Sequence, residues 1–387
     1  METLTSFVSP NPNNAFLSIS SSRSLPRPSS RLRNPSASIR PPPPGFDYRD
    51  SEVVADTRAA VAGSHPDLLD LVDRGSLVVV EKRRFGPVPP WREGFAEPEA
   101  IWLVGTTHLS EASASEVGRV VRSLRPDNVV VELCRSRAGI MYASKDGDTE
   151  PVLKSNMFSL GGSRFFDAIS RSINLGGQSA LALRLLLAVF SSKLSTDANR
   201  PFGDEFRAAR IASEEVGSQI VLGDRPIEIT LERAWDALTL KEKLNLIVSL
   251  FRGITSPSSD MSGKNLEDGV ADGSPFQLYK KLSVSFPSLL QPLIHERDTY
   301  LSWSLKRSKA VNNSKKVVGI IGKGHLNGVI YALVSDLGDL RFRDLAGQRS
   351  ANGGSGNWTG NLVKGLVRDT IIGFAVWALF EQLKTSP

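Results

Sequence analysis

Residues 101–111 read IWLVGTTHLSE, and residues 317–328 read VVGIIGKGHLNG. Each is a short apolar run that stops at a glycine and leaves a histidine three residues later. After the first, Ser110 and Glu111 open a helical pattern that reaches about Leu124; after the second, a helix runs through Val334. Two more β-branched runs follow the same plan. Val129 to Val131 ends in Glu132, and Ile220 to Leu222 ends in Gly223, Asp224 and Arg225. Short strands alternating with longer helical patterns predict an α/β fold with a mostly parallel central sheet and helices on both faces.

In an open parallel sheet, the carboxyl ends of the strands meet in one crevice, where helix N-termini also point. His108, Glu132, Asp224, Arg225 and His325 are therefore expected to converge. Gly105 and Gly322 are read as the points where each strand turns sharply, leaving a histidine at the mouth of the crevice. The chain has four histidines, and two of them share this strand, Gly-x-x-His, helix setting. Glu132 leaves a strand that reads as buried, so its carboxylate needs a cation, a metal or a proton. Arg135 and Arg137 are the nearby candidates for a purely structural ion pair. Cys134 reads as a small buried residue, since no base stands beside it. His295, Glu296, Arg297 and Asp298 form a dense charge cluster on one helix, facing either the same crevice or an internal ion-pair network. Gly203 to Arg207 opens an amphipathic helix with acids in its first turn.

At 387 residues, the chain is long enough for two domains or one large one. Its 40% hydrophobic and 23% charged residues exclude a chain disordered throughout and a multispanning membrane protein. The single cysteine excludes a disulfide framework and a Cys-rich zinc site, leaving His, Asp and Glu for any metal chemistry. The net charge of +6 falls to +3 without the first 50 residues, which hold six arginines and three acids. What remains has no basic run with interleaved aromatics, so nucleic acid is not an expected partner.

From Met1 to Arg40 there are eleven serines, five arginines and one acid, with no apolar run long enough for secretion. This composition predicts a disordered leader over 1–50 acting as an organelle transit peptide, for a chloroplast in preference to a mitochondrion. Pro41 to Pro44 form a stiff spacer, after which folded sequence is expected. A Ser-, Gly- and Asp-rich stretch, 253–275, reads as a disordered insertion. Residues 346–360 contain a flexible Gly-rich linker, and 361–387 a C-terminal apolar helix. Its uninterrupted apolar part, Ile371 to Phe380, is ten residues, against roughly twenty for a bilayer crossing. It reads either as a docked helix or as a short membrane anchor presenting Phe374, Trp377 and Phe380.

Taken together, LVGTTHL (103–109), VVVELCRSR (129–137), PFGDEFR (201–207), VLGDRPIEITLERA (221–234), ERDTY (296–300) and GIIGKGHLNGV (319–329) resemble the TraB family. That family is related to the Tiki proteases and more distantly to the ChaN and erythromycin-esterase groups. The resemblance spans a domain of about 97–345, and residues 161–190 look like its plant-type branch. It implies paired Gly-x-x-His motifs and an acid after the second strand, which fall on His108, His325 and Glu132. By that resemblance these three would hold a divalent metal, Zn, Mn or Co by donor chemistry, for hydrolysis of peptides. Glu132 would ligate or act as base, with Arg225 in support. The resemblance also admits a second role, a non-catalytic organelle adaptor or tether, at the mitochondrial outer membrane in the alternative location. That role would use the C-terminal helix and the Phe165 region.

Overall fold

The computed structural model describes residues 39–88, 92, 94–107, 110–142, 203–246, 286–336 and 342–346. In chain order the elements are α1 (Glu52–Ser64), α2 (Leu69–Asp73), β1 (Leu77–Glu81), β2 (Ala100–Thr106), α3 (Glu111–Leu124) and β3 (Asn128–Val131). These are followed by α4 (Asp204–Val216), β4 (Gln219–Leu222), α5 (Ile227–Ala237), α6 (Glu296–Arg307), β5 (Lys316–Gly322), α7 (Lys323–Ser335) and α8 (Phe342–Leu345). The five strands form one sheet in the order β1-β2-β5-β3-β4. All neighbours are parallel except β1 against β2.

The expected α/β architecture is the observed one, and the reason lies in the strands. β1, β2, β3 and β5 are buried along nearly their whole length, so they read as continuous apolar runs rather than alternating ones, whereas β4 at the sheet edge is only partly covered. Val79, Trp102, Val104, Val129, Val131, Val318 and Ile320 face one layer. Val78, Val80, Ile101, Leu103, Val130, Val317 and Ile321 face the other. In α3, Val117, Val120, Val121 and Leu124 recur at the spacing of one helical face and join the first layer beside Phe206, Ala209 and Ala212 of α4. In α7, Leu326, Val329, Ile330 and Leu333 do the same for the second layer, with Leu301 and Leu305 of α6. Each such side chain, fully removed from water, contributes about 1.5–3 kcal/mol before the cost of ordering it.

The glycine at position 105 has a different reason from the expected one. It lies inside β2, and a Cβ there would meet Leu326 Cδ1 at 2.3 Å, so the missing side chain lets α7 close onto the sheet. Gly322 caps α7 with φ −63° and ψ 141°, an ordinary extended conformation open to any residue.

The folded body begins earlier than the spacer suggests. Ile39 is buried against Trp303 and Leu345, and the backbone around Phe46 and Tyr48 is held by both ends of the Asn327 amide, at 2.7 and 3.0 Å. A domain drawn from residue 97 therefore leaves out α1 and β1, which belong to the same sheet and core. Among the described residues no helix is long and apolar enough to cross a membrane. The leader before residue 39, the Gly161–Phe190 segment with Phe165, the 253–275 insertion, most of the 346–360 linker and the C-terminal apolar segment 361–387 lie outside the described residues, as does His108.

Candidate functional site

The parallel register sets the strand ends level. Thr106 of β2 pairs with Gly322 of β5, and Val131 of β3 pairs with Ile320 of β5 and Leu222 of β4. The residues that leave these ends, Glu132, Asp224 and His325, come together as the sequence predicts, around a group the sequence did not single out. Arg297 of α6 lays its guanidinium across them. Its Nη2 donates to Glu132 Oε1 at 2.7 Å and to Asp224 Oδ2 at 2.8 Å, and Nε donates to Asp224 Oδ1 at 3.1 Å. Its Nη1 lies 3.2 Å from His325 Nε2.

The other edge of each acceptor is already fixed. Glu132 Oε2 accepts from the Gly322 N–H at 2.8 Å, at the first turn of α7. His325 Nδ1 lies 2.6 Å from Asp298 Oδ1, which leaves Nε2 facing Glu132 Oε1 at 3.4 Å. Arg137, expected as a partner of Glu132, instead reaches the Glu132 carbonyl oxygen and Asp224 Oδ2, both at 3.4 Å. Cys134 is buried with Ile227 and Leu231, as its apolar setting suggested.

Why α6 supplies the central cation follows from helix geometry. Successive residues point about 100° apart, so Glu296, Arg297 and Asp298 face three directions. Asp298 meets α7, Arg297 meets the strand ends, and Glu296 turns to a second buried network. There Arg225, fully buried, pairs with Glu296 and also donates to Thr230 Oγ1 at 3.0 Å and to the Pro292 carbonyl at 2.7 Å. Arg233 grips the same Glu296 carboxylate from α5. The structure therefore places Arg225 in a brace behind α6, one helical step away from Glu132 and His325. The Pro292 carbonyl lies in Gln291–His295, a π-helical turn that runs directly into α6, a local form often found near functional sites.

Charge follows this geometry. Burial alone would lower the Arg297 guanidinium, but the charges of Asp224 and Glu132 outweigh it and hold it well above its ordinary value, so it stays a cation. Burial pushes the Asp298 carboxyl up. Burial would lower His325, yet the charges of Glu132 and Asp298 outweigh it and raise it. The His325–Asp298 pair thus holds its proton tightly across the 2.6 Å contact. Burial raises Glu296 too, but Arg233 and Arg225 outweigh it and keep the carboxylate ionised.

Among the described residues no three His, Cys, Asp or Glu side chains cluster as a metal-holding group. The two expected ligands that are described, Glu132 and His325, both face the Arg297 guanidinium. Glu132 Oε1 and His325 Nε2 are 3.4 Å apart, and each is anchored through its other atom, as ligands with supporting hydrogen bonds are.

The profile of the TraB/PrgY/gumN family matches residues 91–333. The chain belongs to this family. Among TraB relatives, a TraB domain-containing protein of Bos taurus is 28% identical over 251 residues, 61% of this chain and 63% of its own length. One of Homo sapiens is 28% identical over 243 residues, 59% and 61% of the two chains. An uncharacterized protein of Methanocaldococcus jannaschii is 28% identical over 235 residues, 59% and 52% of the two chains. The chain thus spans less than two thirds of the length of the curated relatives it matches. The TraB match ends at residue 333, inside α7, so it takes in Glu132, Asp224, the Arg297 cluster and His325.

Proposed function

We propose that this TraB-family chain is a metal-dependent hydrolase acting on peptides, with His108, Glu132 and His325 as the ligands of a Zn, Mn or Co ion. The observation that carries this reading is the 3.4 Å separation of Glu132 Oε1 and His325 Nε2 at the ends of adjacent parallel strands. A bound divalent ion would supply Lewis-acid polarisation of a scissile carbonyl and activation of water at neutral pH.

The chain's own residues supply positioning and charge. Asp298 fixes the His325 ring and commits Nδ1, so that Nε2 is the atom presented to the crevice. The Gly322 N–H fixes the Glu132 carboxylate through Oε2, and Oε1, which Arg297 holds, is the edge turned to His325 for ligation or for accepting a proton. Arg225, Glu296 and Arg233 hold the first turn of α6 at its station, and with it Arg297. Arg225 is therefore a positioning residue. Import into a chloroplast through the Ser- and Arg-rich leader belongs to the same proposal.

Metal content by mass spectrometry tests it, comparing the wild-type chain with His325→Ala and His108→Ala. A near-stoichiometric transition metal in the wild type, lost from both variants with folding intact, supports the centre, and peptide hydrolysis should disappear with it. Metal-free protein after incubation with Zn, Mn and Co would sink this reading and favour a non-catalytic adaptor at an organelle membrane.

A further inference from the structure

We propose that Arg297 is a resident counter-cation of the metal site, and that metal binding requires its guanidinium to leave Glu132 and His325. The inference rests on the hydrolase reading above and concerns what that reading must contend with. Two of the three ligands it assigns are engaged by one guanidinium, Glu132 Oε1 by Nη2 at 2.7 Å and His325 Nε2 by Nη1 at 3.2 Å. Those atoms are only 3.4 Å apart, so an ion bound to both would need the space between them that the guanidinium covers. Charge opposes coexistence as strongly as volume does. A dication and a guanidinium at contact distance in a buried crevice repel, with little water to screen them.

Arg297 has somewhere to go. Two of its bonds, Nε to Asp224 Oδ1 and Nη2 to Asp224 Oδ2, form a fork on a carboxylate that is not among the assigned ligands. A third, Nη1 to the Leu293 carbonyl at 3.4 Å, ties it to its own helix. Giving up Glu132 and His325 therefore keeps Asp224 as a carboxylate partner on which the guanidinium pivots, because Nη2 serves both carboxylates and only its Glu132 bond has to break. Without a metal, the same guanidinium neutralises two carboxylates that are 3% and 5% exposed and that would be costly to bury unpaired. The guanidinium would thereby balance the charge of the site whenever no ion is bound. A metal must compete with an internal cation, so affinity is set by the exchange and not by the ligands alone.

Ion affinity of the full chain tests this by equilibrium dialysis against Zn, Mn and Co for wild type, Arg297→Gln and Arg297→Lys, beside the melting temperature of each in chelator. Arg297→Gln should bind at least one ion roughly tenfold or more tightly, since a cation at contact range is removed. It should also melt lower than wild type in chelator and recover more on adding that ion. Arg297→Lys keeps the charge but cannot fork across Glu132, His325 and Asp224 together, so it should bind several-fold more tightly than wild type while folding more readily than the Gln variant. Folded Arg297→Lys and Arg297→Gln with wild-type or weaker affinity would overturn the competition and leave the hydrolase reading standing. If Arg297→Gln does not fold, unchanged affinity in Arg297→Lys overturns it. No ion on any of the three proteins would remove both.

Discussion

Gly328 of α7 lies against Asp298 of α6 so closely that a Cβ on the glycine would meet the Asp298 Oδ2 at 1.8 Å. Two helices from different parts of the chain approach here because one of them has no side chain. The carboxylate that steadies His325 occupies the vacated space.

This contact reverses the usual effect of replacing a helical glycine. Gly328→Ala would ordinarily stabilise a helix interior by about 0.5–1 kcal/mol. Here the new methyl must push a buried carboxylate off its 2.6 Å contact with His325, and overpacking of that kind costs about 1–3 kcal/mol. Urea denaturation should show net destabilisation, and the His325 imidazole signal in NMR should titrate nearer its ordinary value. An Ala variant as stable as wild type would mean that the two helices are not seated as described.

The Arg225–Glu296 brace predicts strong coupling. Truncation by Arg225→Met should cost about 3–5 kcal/mol, the range for breaking a buried pair and leaving its partner behind. Arg233 still holds Glu296, which pulls the loss towards the lower end. Adding Glu296→Leu should recover part of it. A double-mutant cycle in urea showing no coupling would contradict the pairing.

Glu242 predicts an acid limb to stability. Its carboxylate accepts from the N–H and the hydroxyl of Thr239, at 2.9 and 2.7 Å, and from the N–H and hydroxyl of Ser288, at 3.2 and 2.8 Å. The Thr239 bonds, with the Glu242 N–H returned to Thr239 Oγ1, make a capping box at the start of the helix at 240–246. Burial would raise the carboxyl, but these bonds outweigh it and bring it down to about 2. A carboxyl depressed in the folded state adds stability above its unfolded value and loses it as pH falls towards the folded one. The contribution should thus be full above pH ~5 and fade towards pH ~2, worth roughly 1–2 kcal/mol after solvent screening. Glu242→Gln should lower the denaturation midpoint at pH 6 and narrow its gap to wild type at pH 2.5. A constant gap across that window would refute the assignment.

Most of the sheet was legible because β2, β3, β4 and β5 carry apolar runs ending in polar groups, a pattern that burial enforces in β2, β3 and β5. The edge strand β1 was passed over although LVVVE, flanked by Gly75 and Ser76, carries the same signal. It stands outside the strand, glycine, histidine scheme and feeds nothing into the crevice. Glu132, Asp224 and His325 were placed correctly because strand ends fix position. Arg225 was placed at the site on the same logic, but its long side chain turns back towards Glu296, which no local spacing reveals. Arg297 and Asp298 were seen only as members of a charged cluster. Their separate roles depend on which neighbour each side of α6 meets, and that is decided by packing between segments far apart in the chain.

The placement of β5 has a consequence in time. β2 and β3 each bond to β5 and not to one another, although β5 is the last of the five described strands. While the chain is being synthesised, the earlier strands therefore wait for residues 316–322 before their carboxyl ends can be brought level. Glu132 gains the Gly322 N–H and His325 only with that last segment, so the site receives its final contacts from the strand that closes the sheet. Completion of the sheet and completion of the site are a single event.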